Sequence, residues 1–511
     1  MNCRWRQKIG PDEATTESGP ENFVLAYVPK VAFPRPPYLS AYNYPSADRA
    51  RSLLVTRSQS SSHLQLCCIL SAMVVATNLI AAERPNIIVI VSDDAGYNEF
   101  SMNGSNPLFP TPHIDSIAAN GVRFTNGYVS GTVCSPTRAG LLTGRYQNRF
   151  GHEFNVPPVY SEDNGLSLKE TTIADVLKSA DYRTIALGKW HLGYAPKFHP
   201  MERGFTDYYG FLQGARSYFP LQKPTILNRL LRDREPIVEN FDYMTDELGR
   251  AAADYIAKSK DKPFFIYLAY NATHGPNDAT ESDLATVKGG GGNAKHRAMA
   301  LALDRSVGLV LDELQKHSMT DNTLIFFVND NGGVAGHDNA PLRGYKGSTW
   351  EGGTRVPFAI QWPAGLPKGK VIDAPVISLD IFPTAMAAAG VMNSPGQPLD
   401  GVNLLPYMRG ETKERPHQTL YWKNGTKWAV RDGDLKAVAG NDGGNSGKGK
   451  KAKKGKPSSE ILLFDLSKDT SESNNLAASR PDDVTRLEKL YRDWKKDFPA
   501  PTWGVEKSNA D

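Results

Sequence analysis

The sequence predicts an α/β domain on a large, mainly parallel mixed sheet sandwiched by helices, followed by a smaller α+β domain with an antiparallel sheet. Three observations carry this. Apolar runs without alternation, such as Asn86 to Val91 (NIIVIV), suit strands buried on both faces. Helix-patterned segments separate those runs, and strand–helix–strand alternation favours parallel pairing. After about Gly410 the texture changes to short strands set between turns such as Asn424-Gly425 and Asp432-Gly433.

The elements follow in chain order. Residues 1–56 are Pro-rich and aperiodic, and read as a non-structural extension or a misassigned start. Residues 57–82 read as a signal peptide: Arg49, Arg51 and Arg57 precede the uncharged run Leu64 to Ala82, which closes on Ala81-Ala82. That run is also just long enough to anchor in a bilayer, but Thr77, Asn78 and the small pair suit a peptidase site better. Residues 83–410 form the expected larger, α/β domain. Its buried strands are Asn86 to Val91, Arg183 to Leu187, Pro263 to Tyr270 and Thr323 to Val328. Its helices are Leu168 to Ala180, Glu247 to Ser259 and Arg297 to His317, the last with Met299, Leu303, Val307, Val310 and Leu314 at helical spacing. Residues 411–511 carry the antiparallel strands Thr419 to Trp422, Lys427 to Arg431, Leu435 to Val438 and Ile461 to Leu466, then a helix from Pro481 to Lys496.

Composition excludes several classes. At 511 residues the chain is far longer than one ~150-residue module. Charged residues at 22% and hydrophobic ones at 40% are ordinary globular usage. Four cysteines, Cys3, Cys67, Cys68 and Cys134, cannot build a disulfide scaffold. The net charge of +4 also says little about a partner. Residues 1–82 hold eight Lys/Arg and five Asp/Glu, which leaves +1, and six lysines of a Gly/Ser/Lys run, 441–460, account for that sign. The run reads as a solvated loop. No aromatic interleaving or known module points to nucleic acid.

The chemistry concentrates where strands end. The four buried runs lead into Ser92-Asp93-Asp94, Gly188-Lys189-Trp190-His191, Asn271-Ala272-Thr273-His274 and Asp330-Asn331-Gly332-Gly333. In an open α/β sheet, sites form at the carboxyl ends of strands. Asp93, Asp94, Asp330 and Asn331 supply three carboxylates and an amide oxygen, a set that needs a cation and favours Ca²⁺ or Mg²⁺ over Zn²⁺. Cys134 stands beside Pro136, which suits the first turn of a helix, and four residues before Arg138 on the same face. Once the signal is removed, Cys134 is the only thiol left.

Cys134-Ser135-Pro136-Thr137-Arg138 with its Leu-Leu-Thr-Gly-Arg tail resembles the sulfatase signature C-x-P-x-R…L-T-G-R. The Asp93-Asp94 strand end, Gly188 to Gly193, Asp330-Asn331-Gly332, Leu342 to Gly347 and Glu351 to Gly353 fit the same family in order. The resemblance is to the formylglycine-dependent, arylsulfatase-type sulfatases, and it implies an alkaline phosphatase-like fold. It implies that Cys134 is oxidised to formylglycine by a sulfatase-maturing enzyme, and that Asp93, Asp94, Asp330 and Asn331 hold one Ca²⁺. Arg138 would hold the aldehyde hydrate, Lys189, His274 and Lys346 would contact sulfate oxygens, and His191 would contact the formylglycine. His152 and Arg216 are candidates to face the leaving group.

The expected function is therefore an exported, secreted or periplasmic sulfatase acting on sulfate esters, in particular sulfated carbohydrates, with no membrane span left after cleavage. A phosphoester or phosphonate hydrolase of the same superfamily is the alternative enzyme, although the extra His/Asp set of a two-zinc phosphatase is missing. A non-catalytic glycan-binding protein on this fold is the alternative of another class. Substrate selection is expected from the loops Phe150 to Asp163, Phe211 to Asn228 and Asn277 to Asn293.

Overall fold

In the computed structural model, residues 84–103, 110–287, 294–391, 396–440 and 460–504 are described. The extension, the signal segment and nearly all of the lysine run lie outside them. Among the described residues, no helix is long and apolar enough to cross a membrane.

Sixteen strands are named here in chain order: β1 (Asn86–Ser92), β2 (Val122–Phe124), β3 (Gly127–Tyr128), β4 (Arg183–Lys189), β5 (Asp207–Phe211), β6 (Leu231–Arg232), β7 (Glu235–Pro236), β8 (Phe264–Ala269), β9 (Thr323–Asn329), β10 (Phe358–Gln361), β11 (Lys370–Ile372), β12 (Val376–Ile377), β13 (Thr419–Asn424), β14 (Lys427–Asp432), β15 (Leu435–Ala439) and β16 (Ile461–Asp465). Ten of them form one sheet in the order β11-β2-β10-β9-β1-β8-β4-β5-β6-β7. The five central strands, β9-β1-β8-β4-β5, are all parallel. Antiparallel strands enter at the flanks, where β10 pairs with β9 and β6 with β5.

The central strands read as continuous apolar runs because both faces are covered. Ile87, Val89 and Val91 of β1 enter one core with helices Cys134–Thr143, Ile173–Ser179 and Ile381–Ala388. Ile88 and Ile90 enter the other with helices Pro112–Ala119, Met244–Ala257 and Ala294–Lys316. All five side chains are fully buried, each contributing about 1.5–3 kcal/mol of transfer free energy. The helix Ile173–Ser179 begins later than Leu168 because Thr172 caps it. The Thr172 hydroxyl accepts from the Asp175 N–H at 3.1 Å, and the Asp175 carboxylate accepts from the Thr172 N–H at 2.9 Å.

The C-terminal strands β13 to β16 form a four-stranded antiparallel meander. Alternation gives it two apolar faces. Val430, Ala437 and Leu463 pack against Leu487 and Tyr491 of the helix Pro481–Lys495. Trp422, Ala429, Val438 and Phe464 pack against Tyr128, Trp350, Ile377 and Leu379 of the larger layer.

Candidate active site

Parallel pairing brings the carboxyl ends of β1, β4, β8 and β9 to one edge. Hydrogen bonds stitch them there: the Asp93 N–H donates to the Ala272 carbonyl at 2.8 Å, and the Asp330 N–H to the Ser92 carbonyl at 3.0 Å. The helix Cys134–Thr143 lies beneath with every residue buried. Asp94 and His191 both adopt the left-handed backbone region, at φ 63° and 58°, a sparsely populated conformation that concentrates at functional sites. Gly332 is required for packing, since a Cβ there would stand 1.9 Å from the Gly352 carbonyl oxygen.

Ten of the expected residues come together. The Arg138 side chain is fully buried. It donates to Asp330 Oδ2 from Nε at 2.9 Å and from Nη2 at 2.7 Å, to Asp93 Oδ2 at 3.3 Å, and to the Lys189 carbonyl at 3.0 Å. The Lys189 ammonium pairs with Asp93. Lys346 Nζ donates to Asp94 Oδ1 at 2.5 Å and to Cys134 Sγ at 3.0 Å. Cys134 Sγ also lies 3.6 Å from Asp93 Oδ1. His274 Nε2 stands 3.5 Å from Asp94 Oδ2, and the Asn331 amide donates to Asp94 Oδ1 at 2.8 Å. His191 adjoins this group, because its carbonyl accepts from Ser135 Oγ at 2.7 Å.

The electrostatics follow from burial and mutual pairing. Burial, then the carboxylates of Asp330 and Asp93, push the Cys134 thiol up to about 12, so the unmodified thiol is not ionised near neutral pH. Burial pulls His191 well below the usual imidazole range, helped by Lys189 and Arg138, which keeps it neutral. Burial works to raise Asp94, but Lys346 and His274 outweigh it and hold the carboxyl below its usual range. Burial works against the charge on Lys346 as well, yet the surrounding anions raise its pKa and keep it cationic.

The donor set fits a hard divalent cation. Asp330 Oδ1 and Asn331 Oδ1 are buried and have no hydrogen-bond partner, an arrangement costly for oxygens unless something binds them. Asp93 and Asp94 border the same space, in a group that could hold a metal ion with Cys134 and His274. Three carboxylates already face three cations, Arg138, Lys189 and Lys346, so a divalent ion would make the cluster net positive.

Two expected residues are placed differently. His152 packs against the first turn of the helix Cys134–Thr143. Its Nε2 meets Ser135 Oγ at 2.6 Å, its ring packs edge-on against Trp503, and burial pushes its pKa down to about 3. Arg216 is paired with Glu239 at 2.6 Å and donates to the Asn228 carbonyl at 3.1 Å, so it braces its own loop. Arg216 is held by partners within its own loop and His152 by Ser135 through Nε2, pairings that a linear sequence does not display.

Other neighbours carried no sequence signal. The Tyr218 hydroxyl lies 2.5 Å from the Asn271 carbonyl oxygen and 2.9 Å from that of His274, fixing the segment that presents His274. The cleft beside the cluster, about 430 Å³, is lined by Asp94, His274, Asn277, Val334 to His337 and Lys346. Of the loops expected to select substrate, only the one starting at Asn277 reaches this cleft, and Val334 to His337 was not anticipated.

Comparison with known proteins gives a consistent picture. The model of the sulfatase family matches residues 85–391. The N-acetylgalactosamine-6-sulfatase of Mus musculus is 32% identical over 402 residues, covering 73% of this chain and 75% of its own. Arylsulfatase A of Bos taurus is 33% identical over 445 residues, covering 80% and 86%. The crystal structure of Ps i-CgsB superposes with a TM-score of 0.75 at 35% identity, covering 83% of this chain and 96% of that one. The same protein has been solved in complex with k-i-k-neocarrahexaose.

Proposed function

The chain belongs to the sulfatase family, a family of sulfuric ester hydrolases, and from that membership we propose that it is an exported enzyme removing sulfate from sulfated carbohydrates, with Cys134 converted to formylglycine and one Ca²⁺ held by Asp93, Asp94, Asp330 and Asn331. The carrying observation is the position of Cys134 Sγ, 3.0 Å from Lys346 Nζ and 3.6 Å from Asp93 Oδ1, within the buried carboxylate and cation cluster. A thiol held protonated there is a poor nucleophile, and that supports a modified side chain at this position. Formylglycine at position 134 would supply a hydrated aldehyde as the nucleophile, with a second hydroxyl whose deprotonation would let sulfate depart without attack by water. The Ca²⁺ supplies positive charge against the ester oxygens when bound.

The remaining roles fall to the chain's own groups. A sulfate ester is anionic and repels nucleophiles, so the site must concentrate positive charge where charge develops. Lys189 and Lys346 provide it from two sides, while Arg138 fixes Asp330 and Asp93 in place. His274 stands between the carboxylate cluster and the open cleft, where it can protonate the leaving oxygen. His191, kept neutral, is available as a proton acceptor beside residue 134. The names of the mouse relative and of the neocarrahexaose complex support a saccharide as the leaving group.

The test is sulfate release from a panel of defined sulfated saccharides by protein co-produced with a maturing enzyme. Conversion of Cys134 should lower the mass of its peptide by about 18 Da. Cys134→Ala should release no sulfate. Undiminished turnover by that variant, or an active protein whose Cys134 peptide keeps its original mass, would overturn the proposal.

A further inference from the structure

A second cluster stands behind the strand end that carries Asp94. Glu99 follows β1, His296 lies in the first turn of the helix Ala294–Lys316, and His337 lies in the loop after β9. Their side chains are only 7%, 4% and 7% exposed. His296 Nε2 is 2.8 Å from Glu99 Oε2, and His337 Nδ1 is 3.6 Å from the same oxygen. The two imidazoles face each other with centroids 3.7 Å apart. None of these residues belongs to the sulfate-binding group, and the inference drawn from them is independent of the proposed activity.

We propose that Glu99, His296 and His337 form a separate binding site for a borderline divalent transition metal of the Zn²⁺ class. The donor set is two imidazole nitrogens and one carboxylate oxygen, which favours such an ion over the hard cations suited to Asp93, Asp94, Asp330 and Asn331. One ligand atom from each residue lies within 4.8 Å of the others. Two donors each ~2.1 Å from a common ion stand about 3.0–3.4 Å apart, and the observed separations of 2.8 and 3.6 Å bracket that span. An ion would take the place of the proton now shared between His296 and Glu99. Ligation through His337 Nδ1 would require the other tautomer, with the proton it now donates to the Asp94 carbonyl oxygen, 2.8 Å away, carried on Nε2 instead.

The surroundings resemble the supporting shell of a metal site. Ligand carboxylates are usually oriented by further hydrogen bonds. Glu99 Oε2 accepts from the Gly96 N–H at 2.6 Å, and Oε1 accepts from the Asp338 N–H at 3.1 Å. Both contacts leave coordination positions on the carboxylate. An entry path exists, because His337 lines the cleft beside Lys346.

The consequence is a metal that clamps three segments: the turn after β1, the start of a long helix and the loop that walls the cleft. Untagged full-length protein carrying Cys134→Ala, saturated with Ca²⁺, should be titrated with Co²⁺ and then Zn²⁺. The expected result is one equivalent of Co²⁺ with visible ligand-field absorption, displaced by Zn²⁺, and a melting temperature raised by Zn²⁺. His337→Ala and, separately, Glu99→Gln should weaken Co²⁺ binding at least tenfold and remove the Zn²⁺ effect. Asp330→Asn should leave Co²⁺ binding intact. Absence of stoichiometric Co²⁺ in the Ca²⁺-saturated protein would overturn the proposal. So would binding unaltered in both His337→Ala and Glu99→Gln, or binding lost in Asp330→Asn alone.

Discussion

Replacing Lys436 by Met removes the one cation shared by two buried carboxylates at the junction between the large layer and the C-terminal sheet. Lys436 Nζ lies 2.8 Å from Glu351 Oε1 and 2.9 Å from Glu472 Oε1, and all three side chains are fully buried. Glu351 keeps the Tyr128 hydroxyl at 2.7 Å and Arg355 at 3.3 Å after the change. Glu472 keeps the Glu351 N–H, at 2.8 Å from its Oε2. Burial already pushes the Glu472 carboxyl up to about 7, so the comparison belongs at about pH 8, where leaving this buried charge without its partner costs about 3–5 kcal/mol, a large share of the ~5–15 kcal/mol that folded proteins have in total. With a urea dependence of about 3 kcal/mol per molar, the unfolding midpoint should fall by about 1–2 M. Trp422, whose ring is 5.5 Å from Lys436 Nζ, is one of the eight tryptophans whose fluorescence would follow the unfolding. Adding Glu472→Gln removes the stranded charge, so the double variant should recover most of the loss. A midpoint shift below about 0.3 M in Lys436→Met, or a double variant no more stable than the single one, would refute this account of the junction.

Three further outcomes are expected. Lys346→Met should lower kcat/KM for sulfate esters by about 10²–10³-fold while the fold is retained, because one charge that faces the reacting group is removed; steady-state kinetics with circular dichroism would check it. Exhaustive chelation of Ca²⁺ should abolish sulfate release and lower the melting temperature, with recovery on adding Ca²⁺ back, and full activity in the chelated protein would contradict the assigned ligands. The third concerns pH. His152 has a folded-state pKa of about 3 against an ordinary 6.5. The unfolded chain therefore binds the extra proton first, and stability is complete above about pH 6.5 and declines as pH falls towards 3. His152→Gln should flatten that part of the stability profile measured by urea unfolding, and an unchanged slope would count against burial as the cause.

Much of the site was legible from residue order because each buried strand ends in its functional groups. The runs before Asp93, Lys189, His274 and Asp330 are apolar without alternation, and parallel pairing sends their ends to one edge. The Cys134 to Arg145 segment was legible because its residue types and spacing are specific. Other features were not. His152 and Arg216 are polar and close in sequence to functional segments, but His152 Nε2 is turned onto Ser135 and the Arg216 guanidinium onto Glu239. The helix start at Ile173 was set by a reciprocal cap between Thr172 and Asp175, a signal that hydrophobic periodicity does not contain.

By itself, the sequence determined the layer architecture, the four strand-end clusters and the catalytic signature, because these depend on local pattern and on short-range order along the chain. Only the tertiary structure decided which charges meet. Glu99, His296 and His337 come from three segments nearly 240 residues apart at the extremes, and Glu351, Lys436 and Glu472 from the large layer and the C-terminal sheet. Burial makes such meetings consequential, since a charge removed from water must find its partner within a few ångströms. Distance along the chain does not set that partner; packing of the two layers does.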